Sequence, residues 1–199
     1  KGAKVIQIRA VEFANKFNVP VRVLSSFEQG NGTLIYLKDD NKMENALVSG
    51  IAFQKDQVKI TLHGVTDTPG IAYQILGPLS DENIEVDVIV QNVSVNGKTD
   101  FTFTVSEEDK SNAEAVLQNL KDVTYDDLII DSDVAKVSLV GVGMRTHAGV
   151  ASTAFKALSD NEINIQMIST SEIKITIVIE EGALESAVKA LHSAFELEK

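Results

Sequence analysis

The sequence contains no cysteine, which excludes both a disulfide framework and thiolate chemistry. Basic residues are also scarce, since 18 lysines and arginines stand against 29 aspartates and glutamates, for a net charge of −11. This balance disfavours a phosphate-binding surface, so we expect neither nucleic acid nor an anionic membrane as a partner. No apolar run approaches the roughly 18 residues of a membrane span. With no charged and then apolar leader at its start, the sequence predicts a cytoplasmic protein.

Histidine is sparse as well, with three residues that lie 84 and 45 positions apart. Metal-binding histidines usually come in closely spaced pairs, so we expect no metal site. The local patterns predict a strand position for His63, a turn for His147 and a helix surface for His192. No nucleophile elbow accompanies the serines, and the sequence therefore predicts no catalytic constellation of its own.

What the sequence does contain is one segment used twice, in a chain whose 44% hydrophobic content suits a globular protein. Residues 59–65 (KITLHGV) align with residues 136–142 (KVSLVGV), and after two inserted residues Gly70 aligns with Gly149. Each copy has an alternating apolar run, a polar turn with glycine, a stretch of helical periodicity and a second alternating run. Each copy therefore predicts a strand, a helix and a strand.

The first copy continues into a complete ferredoxin-like unit. Its first helix is predicted from Ile71 to Leu79, and Thr68-Pro69 supplies an N-cap and a first-turn proline. The later elements are predicted as strands over 84–90, 100–105 and 125–130 and a helix over 108–120. The order βαββαβ predicts an α+β fold in which both helices cover one face of an antiparallel sheet.

The second copy ends one strand short. Its elements are predicted as a helix over 150–158, strands over 163–167 and 173–179, and a helix over 183–195. A sheet of three strands would leave a long unpaired edge. We expect the spare alternating segment 46–53 to fill it, so that the first copy is inserted into the second. Two alternatives stay open: a stub strand at residues 195–197, or an edge that pairs with another molecule.

Three parts of the chain follow from these elements. The first repeat is predicted as residues 56–131, and the second repeat as residues 46–53 together with 134–199. Residues 1–45 are predicted as a helix over 7–17, strands over 21–24 and 33–37, and a charged linker over 38–45. One helix and two strands bury little core, so we expect residues 1–45 to be the end of an upstream α/β domain plus a linker.

The two glycine turns suit the binding of a free amino acid. Such a ligand is a zwitterion and needs amide donors for its carboxylate and an acceptor for its ammonium group. The turn that enters the first helix of each repeat offers the donors, because N–H groups at a helix start point outward at the positive end of the helix dipole. These turns are Gly70-Ile71-Ala72 and Gly149-Val150-Ala151.

The acceptors differ between the repeats. Aligning Gly70 with Gly149 places Asp67 over Thr146 and Asp87 over Gln166, so the first repeat is acidic where the second is neutral. Two carboxylates suit the two ammonium groups of lysine, whereas Thr146, Asn164 and Gln166 suit a neutral side chain such as that of threonine. The alternative is that Asp67 begins a turn and that Asp87 is a solvated strand residue.

Two groups of motifs carry a family resemblance. The first group is GAKV (2–5), RAVE (9–12), NVPVRV (18–23), SSF (25–27) and GTLI (32–35). The second group is DTPG (67–70), DVIVQNVS (87–94), VSLVG (137–141) and ISTSEI (168–173). The first group resembles the end of the catalytic domain of aspartate kinases. The second resembles the tandem ACT regulatory region of the same family, and together they cover essentially the whole chain.

The resemblance implies a regulatory part of an enzyme that transfers the γ-phosphoryl group of ATP, with Mg, to the side chain of aspartate. The catalytic residues of that family are not found in this sequence, which has no Lys-Phe-Gly-Gly start and no glycine-rich cradle with a following lysine. Gly30-Asn31-Gly32 is a plain turn. We therefore expect this chain to be inactive by itself and to act with a kinase catalytic domain or subunit.

The resemblance also implies a symmetric homodimer through the ACT units, with lysine or threonine trapped at the joints as feedback effectors. The candidate effector-binding residues are Asp67, Thr68, Gly70, Ile71, Ala72, Asp87, Gln91, Asn92, Ser94, His147, Gly149, Val150, Ala151, Asn164, Gln166, Thr170 and Ser171. Two positions depart from the family pattern, because Ile8 and Ala148 stand where the family has proline. The second departure loosens the turn into the helix of the second repeat.

Two other functions deserve comparison. A βαββαβ sheet can bind single-stranded RNA, but that requires exposed aromatic residues in a basic surface, and Phe101 and Phe103 belong to an acidic chain. The alternative is a stand-alone amino-acid sensor or the regulatory end of another biosynthetic enzyme. Residues 1–35 favour aspartate kinase over that alternative.

Overall fold

The computed structural model describes residues 6–35, 48–93, 96–141 and 149–197. The predicted linker 38–45, the first two residues of the predicted strand 46–53, Ser94 and His147 lie outside these ranges. The chain divides into two compact units, residues 1–45 and residues 46–199. No helix in the described ranges is both long enough and apolar enough to cross a membrane.

Within its described residues, 6–35, the first unit contains one helix and one two-stranded sheet. Helix α1 runs from Ile8 to Lys16, and strands β1 (Val21–Val23) and β2 (Thr33–Ile35) pair antiparallel. All three elements lie within the predicted ranges. Large apolar side chains remain exposed, with Phe27 at 98% exposure, because so few elements cannot enclose a core.

The second unit is an α+β sandwich with six strands and four helices among the described residues. Its elements in order are β3 (Gly50–Thr66), α2 (Ile71–Asp81), β4 (Asp87–Val93), β5 (Lys98–Ser106), α3 (Lys110–Gln118), β6 (Asp127–Val140), α4 (Val150–Asp160), β7 (Met167–Thr170), β8 (Lys174–Glu180) and α5 (Leu184–Ala194). Single 3-10 turns at Glu107–Asp109 and Glu181–Ala183 precede α3 and α5. The predicted ferredoxin-like fold class is confirmed.

One continuous sheet connects the two repeats, with the strand order β4-β5-β3-β6-β8-β7. The sequence predicted separate strands over 46–53 and 58–62, and again over 125–130 and 137–142. Those predictions were wrong in their breaks, because β3 and β6 each run through both repeats without ending. The two strands pair antiparallel, so the first half of β3 pairs with the second half of β6, and the second half of β3 pairs with the first half of β6. Each repeat then has the strand order expected of a ferredoxin-like sheet.

The strand that completes the second repeat comes from the segment that the sequence predicted. Gly50 pairs with Val140 and Phe53 with Val137, so the start of β3 forms the outer strand beside β6, which pairs with β8 on its other side. The alternative stub strand at residues 195–197 does not form, because these residues make a turn after α5. The insertion of the first repeat into the second therefore follows from the pairing of β3 with β6.

Each repeat has its own apolar core between its helices and the sheet. In the first repeat, Ile71, Ile75 and Leu79 of α2 pack against Ile60 and Phe103. The matching core of the second repeat is built by the same periodicity from α4, α5, β6 and β8, through Val150, Ala154, Leu158, Leu184, Ala187, Leu191, Val137, Leu139, Ile175 and Ile177. The helices therefore lie on one face of the sheet, as the apolar periodicity predicted.

The opposite, helix-free face of the sheet curls on itself. Strands β4 and β7 end the strand order at opposite edges, yet their Cα atoms approach within 8 Å. A small cluster of Val88, Val134, Met167 and Val178 lies buried there. Val88 enters it through a bulge in β4, where its φ of 49° breaks the predicted alternation over 84–90. The helix-free faces of the two repeats therefore share a buried contact.

Candidate functional site

The first glycine turn lies between the end of β3 and the start of α2. Gly70 occupies the N-cap with a φ of 96°, and no side chain caps the helix. The predicted N-cap at Thr68 and first-turn proline at Pro69 were wrong, because the helix begins at Ile71 and Thr68 contributes its carbonyl to the Ile71 N–H at 3.1 Å. The Ile71 N–H is thus used within the turn, and with no capping side chain the amides that follow it in the first turn of α2 are available to an anionic group.

Two polar side chains meet beside this turn. The Asp67 Oδ1 atom accepts a hydrogen bond from Gln91 Nε2 of β4 at 3.5 Å. The Asp67 backbone N–H donates to the Gly97 carbonyl at 2.9 Å, which holds the residue at the mouth of the turn. The structure therefore brings together the turn, a carboxylate and an amide, three of the groups that the sequence proposed for a zwitterion.

The remaining predicted residues of the first repeat are spread around this group. Ile71 is 5% exposed and Ala72 is half-buried, so both offer mainly their backbone. Asn92 is exposed on β4, and its carbonyl accepts a hydrogen bond from Thr99 Oγ1. Ser94 lies outside the described residues.

Asp87 lies on the other face of β4. Its carbonyl accepts a hydrogen bond from Thr104 Oγ1 at 2.9 Å, and its Oδ2 atom lies 2.9 Å from Lys136 Nζ. Asp87 pairs with Thr104 and Gln91 pairs with Phe101, a core residue, so the two β4 side chains point to opposite faces of the sheet. The carboxylate of Asp87 therefore faces the second repeat rather than the turn at Gly70.

The second glycine turn repeats the geometry of the first. Gly149 is the N-cap of α4 with a φ of 108° and no capping side chain, and its carbonyl accepts from the Thr153 N–H at 2.8 Å. Val150 is buried and Ala151 is half-buried, matching Ile71 and Ala72. Thr146, His147 and Ala148 lie outside the described residues. The hydrogen-bond acceptors described near this turn are therefore those on and beside β7.

The polar residues predicted around β7 occupy three different settings. Asn164 and Thr170 are exposed, at the approach to β7 and at its last residue. Ser171 closes the turn into β8, where its Oγ accepts from the Lys174 N–H at 3.2 Å. The Gln166 N–H donates to the Val178 carbonyl at 2.9 Å, and its side-chain oxygen accepts from Lys59 Nζ. Gln166, like Asp87, is therefore held by a lysine of the other repeat.

The sequence did not single out these two lysines. Lys59 and Lys136 occupy the same position in the two copies, and each contacts a residue of the other copy. Lys136 of the second repeat contacts Asp87 of the first, and Lys59 of the first repeat contacts Gln166 of the second. A signal was available, because both lysines fall inside alternating strands whose flanking residues are apolar. Their identical placement in the repeat indicated a shared structural task.

Comparison with known proteins identifies the two repeats. An ACT domain model matches residues 60–124, and a second ACT domain model matches residues 137–195. The chain is 60% identical to an aspartate kinase from Pseudomonas fluorescens (strain SBW25) over 198 residues, which cover 99% of this chain and 48% of that protein. The chain thus spans about half the length of the curated relatives it matches.

Solved structures show the same arrangement. The crystal structure of aspartokinase alpha and beta subunits is similar at a TM-score of 0.68 and 49% identity, over 75% of this chain and 99% of that one. The ligand-free regulatory subunit of aspartate kinase from Thermus thermophilus is similar at a TM-score of 0.71 and 35% identity, again over 75% of this chain and 99% of that one.

Proposed function

This chain belongs to the aspartate kinase family and forms its regulatory region with two ACT domains, and from that premise we propose that it binds free lysine or threonine as feedback effectors. The resemblance stated from the motifs is thereby confirmed. The observation that carries the proposal is the group formed by the uncapped turn at Gly70, the Asp67 carboxylate and the Gln91 amide.

The first turn matches the two ends of an amino acid. The amides at the start of α2 hold the α-carboxylate, since an N-terminal helix end attracts anions. Asp67 accepts a hydrogen bond from an ammonium group, and Gln91 and Asn92 add polar contacts from β4. Because a charge-assisted hydrogen bond is stronger than a neutral one, Asp67 favours lysine, which brings a second ammonium group.

The second turn offers a more neutral site of the same design. Gly149, Val150 and Ala151 supply the amides, and Asn164, Thr170 and Ser171 are the polar residues of the approach and end of β7. Thr146 takes the sequence position of Asp67. This set suits threonine better than lysine, because it supplies hydrogen bonds without a carboxylate to hold a second ammonium group.

We propose that the effectors act on an aspartate kinase activity located elsewhere in the protein. ATP and Mg are implied by the family, but the residues described here do not fit them. A Cβ on Gly32 would lie 2.1 Å from the Val23 carbonyl oxygen, so this glycine allows close packing of the β1–β2 turn and does not cradle a phosphate. The transfer of the phosphoryl group therefore belongs to a catalytic domain or subunit that partners this region.

Effector binding by such a region changes how the ACT units are arranged relative to one another. A ligand that binds one arrangement of the ACT units more tightly than another shifts the population toward it, by no more than the difference in its two affinities. In the proposed homodimer, an effector that is held by the Gly70 turn and β4 of one chain and also contacts a neighbouring unit holds that arrangement. Lysine or threonine then reduces the kinase rate by stabilising an inhibited arrangement.

Titration calorimetry with lysine and threonine on this chain tests the proposal. We expect lysine to bind, and Asp67→Asn to weaken lysine binding by about 1.5–3 kcal/mol, or roughly tenfold to a hundredfold, as for a charged hydrogen bond. Asp81→Asn at the end of α2 is a matched control that removes the same charge from an exposed position. Absence of heat and of any thermal shift with both amino acids would refute the proposal.

A further inference from the structure

Two lysines cross between the repeats in a reciprocal pattern. Lys136, on β6, lies 2.9 Å from the carboxylate of Asp87 on β4. Lys59, on β3, contacts Gln166 just before β7 and lies 3.1 Å from Asp131 of β6. Since Lys59 aligns with Lys136 and Asp87 aligns with Gln166, the two contacts are related by the internal repeat. They are called the reciprocal lysine contacts below.

The contact of Lys136 is the stronger of the two. The Lys136 side chain is only 5% exposed, so its ammonium group is largely withdrawn from water. A buried charge that loses a charged partner is costly, because little water is present to replace the lost contact. Asp87, which is 36% exposed, supplies that counter-ion from the other repeat. The position of β4 relative to β6 is therefore tied to the neutralisation of Lys136.

The second contact is built differently. The Lys59 side chain is 19% exposed and has Asp131, its cross-strand neighbour on β6, as a charged partner in addition to Gln166. Loss of the Gln166 side chain leaves Lys59 with that carboxylate. The two contacts therefore join equivalent positions of the repeats but differ in strength, and the charged one dominates.

An apolar contact accompanies the reciprocal lysine contacts. Val88 follows Asp87 directly, and Met167 follows Gln166 directly, and both side chains enter the buried cluster on the helix-free face. The positive φ of Val88 is a strained conformation for a β-branched residue, and such strain persists only where the surroundings require it. The same short segment of β4 thus makes both a charged and an apolar contact with the second repeat.

The strands that join the repeats bend between them. Pairing of β3 with β6 shifts register between Gln54 and Gln57 and again between Gln57 and Lys59. Asp56 has a φ of 56° at this point, and the side chain of Gln57 donates to the carbonyls of Lys55 and Asp56. Bulges of this kind bend a strand and raise its twist. The angle between the repeats is therefore set at residues 54–59 of β3, the segment that ends at Lys59.

We propose that the reciprocal lysine contacts hold the helix-free faces of the two ACT repeats together across this bend, and that Asp87 is a positioning residue which couples the two effector turns. The coupling part rests on the proposed function. Asp87 lies four residues before Gln91 on β4, and Lys136 lies on the strand that leads to the second turn. A ligand that moves β4 at the first turn therefore moves the partner of Lys136.

Distance measurement between two spin labels tests the contact. The chain has no cysteine, so Ser80→Cys in α2 and Ser159→Cys in α4 give one label per repeat at equivalent, exposed positions. The labelled chain is diluted with unlabelled chain, so that distances across the proposed homodimer do not contribute, and we expect one narrow intrachain distribution in the otherwise unchanged chain. Asp87→Asn should enlarge a second, longer population about tenfold, the equivalent of one charged hydrogen bond. Gln166→Ala should enlarge it less, because Lys59 keeps Asp131.

Controls separate the contact from a general loss of stability. Glu85→Gln removes one charge from an exposed residue two positions before Asp87 and should leave the distribution unchanged. Lys136→Met removes the buried charge while keeping most of the apolar length of the side chain, and it should open the repeats without unfolding them. An unchanged distribution in Asp87→Asn and Lys136→Met alike would overturn the proposal.

Calorimetry then tests the coupling. Threonine is titrated with and without saturating lysine, and coupled sites typically change each other's affinity by about fivefold or more. We expect Asp87→Asn to bring the ratio of the two threonine affinities, with and without lysine, close to one while each turn still binds its ligand. Loss of lysine binding itself in Asp87→Asn would instead make Asp87 a direct ligand and overturn the positioning role. If the unchanged chain binds neither amino acid, the proposed function fails, and the label distances still decide whether the contacts hold the repeats together.

Discussion

Val88 and Met167 occupy equivalent positions in the two repeats and lie in the same buried cluster, 6% and 7% exposed. The internal repeat thus places its two copies of one position side by side on the helix-free face of the sheet. Met167→Ala should lower the free energy of unfolding by about 2–4 kcal/mol, the usual cost of truncating a buried methionine. Ile168→Ala, at the neighbouring residue with 40% exposure, should cost about 0.5 kcal/mol or less. Denaturant titration measures both, and equal losses would show that the cluster contributes nothing special.

Substitutions at the small residue of each turn should separate the two effector sites. Ala72 and Ala151 are half-buried at the second helical position of α2 and α4. Ala72→Leu places a bulky side chain beside the Gly70 amides and should abolish lysine binding while threonine binding survives. Ala151→Leu should do the reverse. Calorimetry reads both variants, and equal loss of both ligands in either variant would argue against two distinct sites.

The two N-cap glycines should tolerate alanine poorly despite open space around them. A Cβ on Gly70 or Gly149 meets no atom within 4 Å, but their φ values of 96° and 108° are unfavourable for any residue with a side chain. Gly70→Ala and Gly149→Ala should each cost about 1 kcal/mol or slightly more. Gly182→Ala is the matched control, because it too has open space but no left-handed φ. Thermal melts should show a loss only at the N-caps.

The outer strands of the sheet should mediate self-association. Strands β4 and β7 lie at the two ends of the strand order, and Ile89 and Ile168 are exposed on them at 47% and 40%. An exposed apolar edge strand is a template for pairing with another chain. We expect light scattering to show a dimer, and Ile89→Lys or Ile168→Lys to weaken it. Tyr73→Lys, on the exposed side of α2, should not. A monomer at high concentration with effector present would contradict this expectation.

The pKa of Glu185 should depend mainly on Lys189, with a smaller contribution from the charge of Lys55. A hydrogen bond from Lys189, one helical turn away at 2.6 Å, lowers the pKa of Glu185, and the charge of that lysine lowers it further. Because the folded pKa lies below the unfolded one, the pair stabilises the fold above the ordinary glutamate pKa. This stabilisation is lost as the pH falls through the lowered value. NMR titration should return the Glu185 pKa to its ordinary range in Lys189→Met and at high salt.

The apolar periodicity of the sequence predicted the position of elements that bury one face. The helices over 71–79 and 150–158 were predicted from apolar residues on one face, and both form over those residues. The sequence was less informative about strand ends. The breaks predicted inside β3 and β6 were wrong, because polar residues such as Asp56 and Asp133 resemble turn signals, whereas a bulge in a paired strand accommodates them without ending it.

The sequence by itself determined the repeat and the two glycine turns, and it predicted the donated strand while leaving two alternatives open. Each depends on local chemistry or on an alternating apolar pattern whose apolar residues need a place in a sheet to become buried. Only the tertiary structure decided which polar side chains meet. Asp87 and Gln91 lie four residues apart on β4, yet the bulge at Val88 turns Gln91 toward Asp67 at the glycine turn and Asp87 toward Lys136 of the second repeat. The physical reason is that the facing of a strand side chain depends on register and bulges across the whole sheet, and no local pattern encodes these.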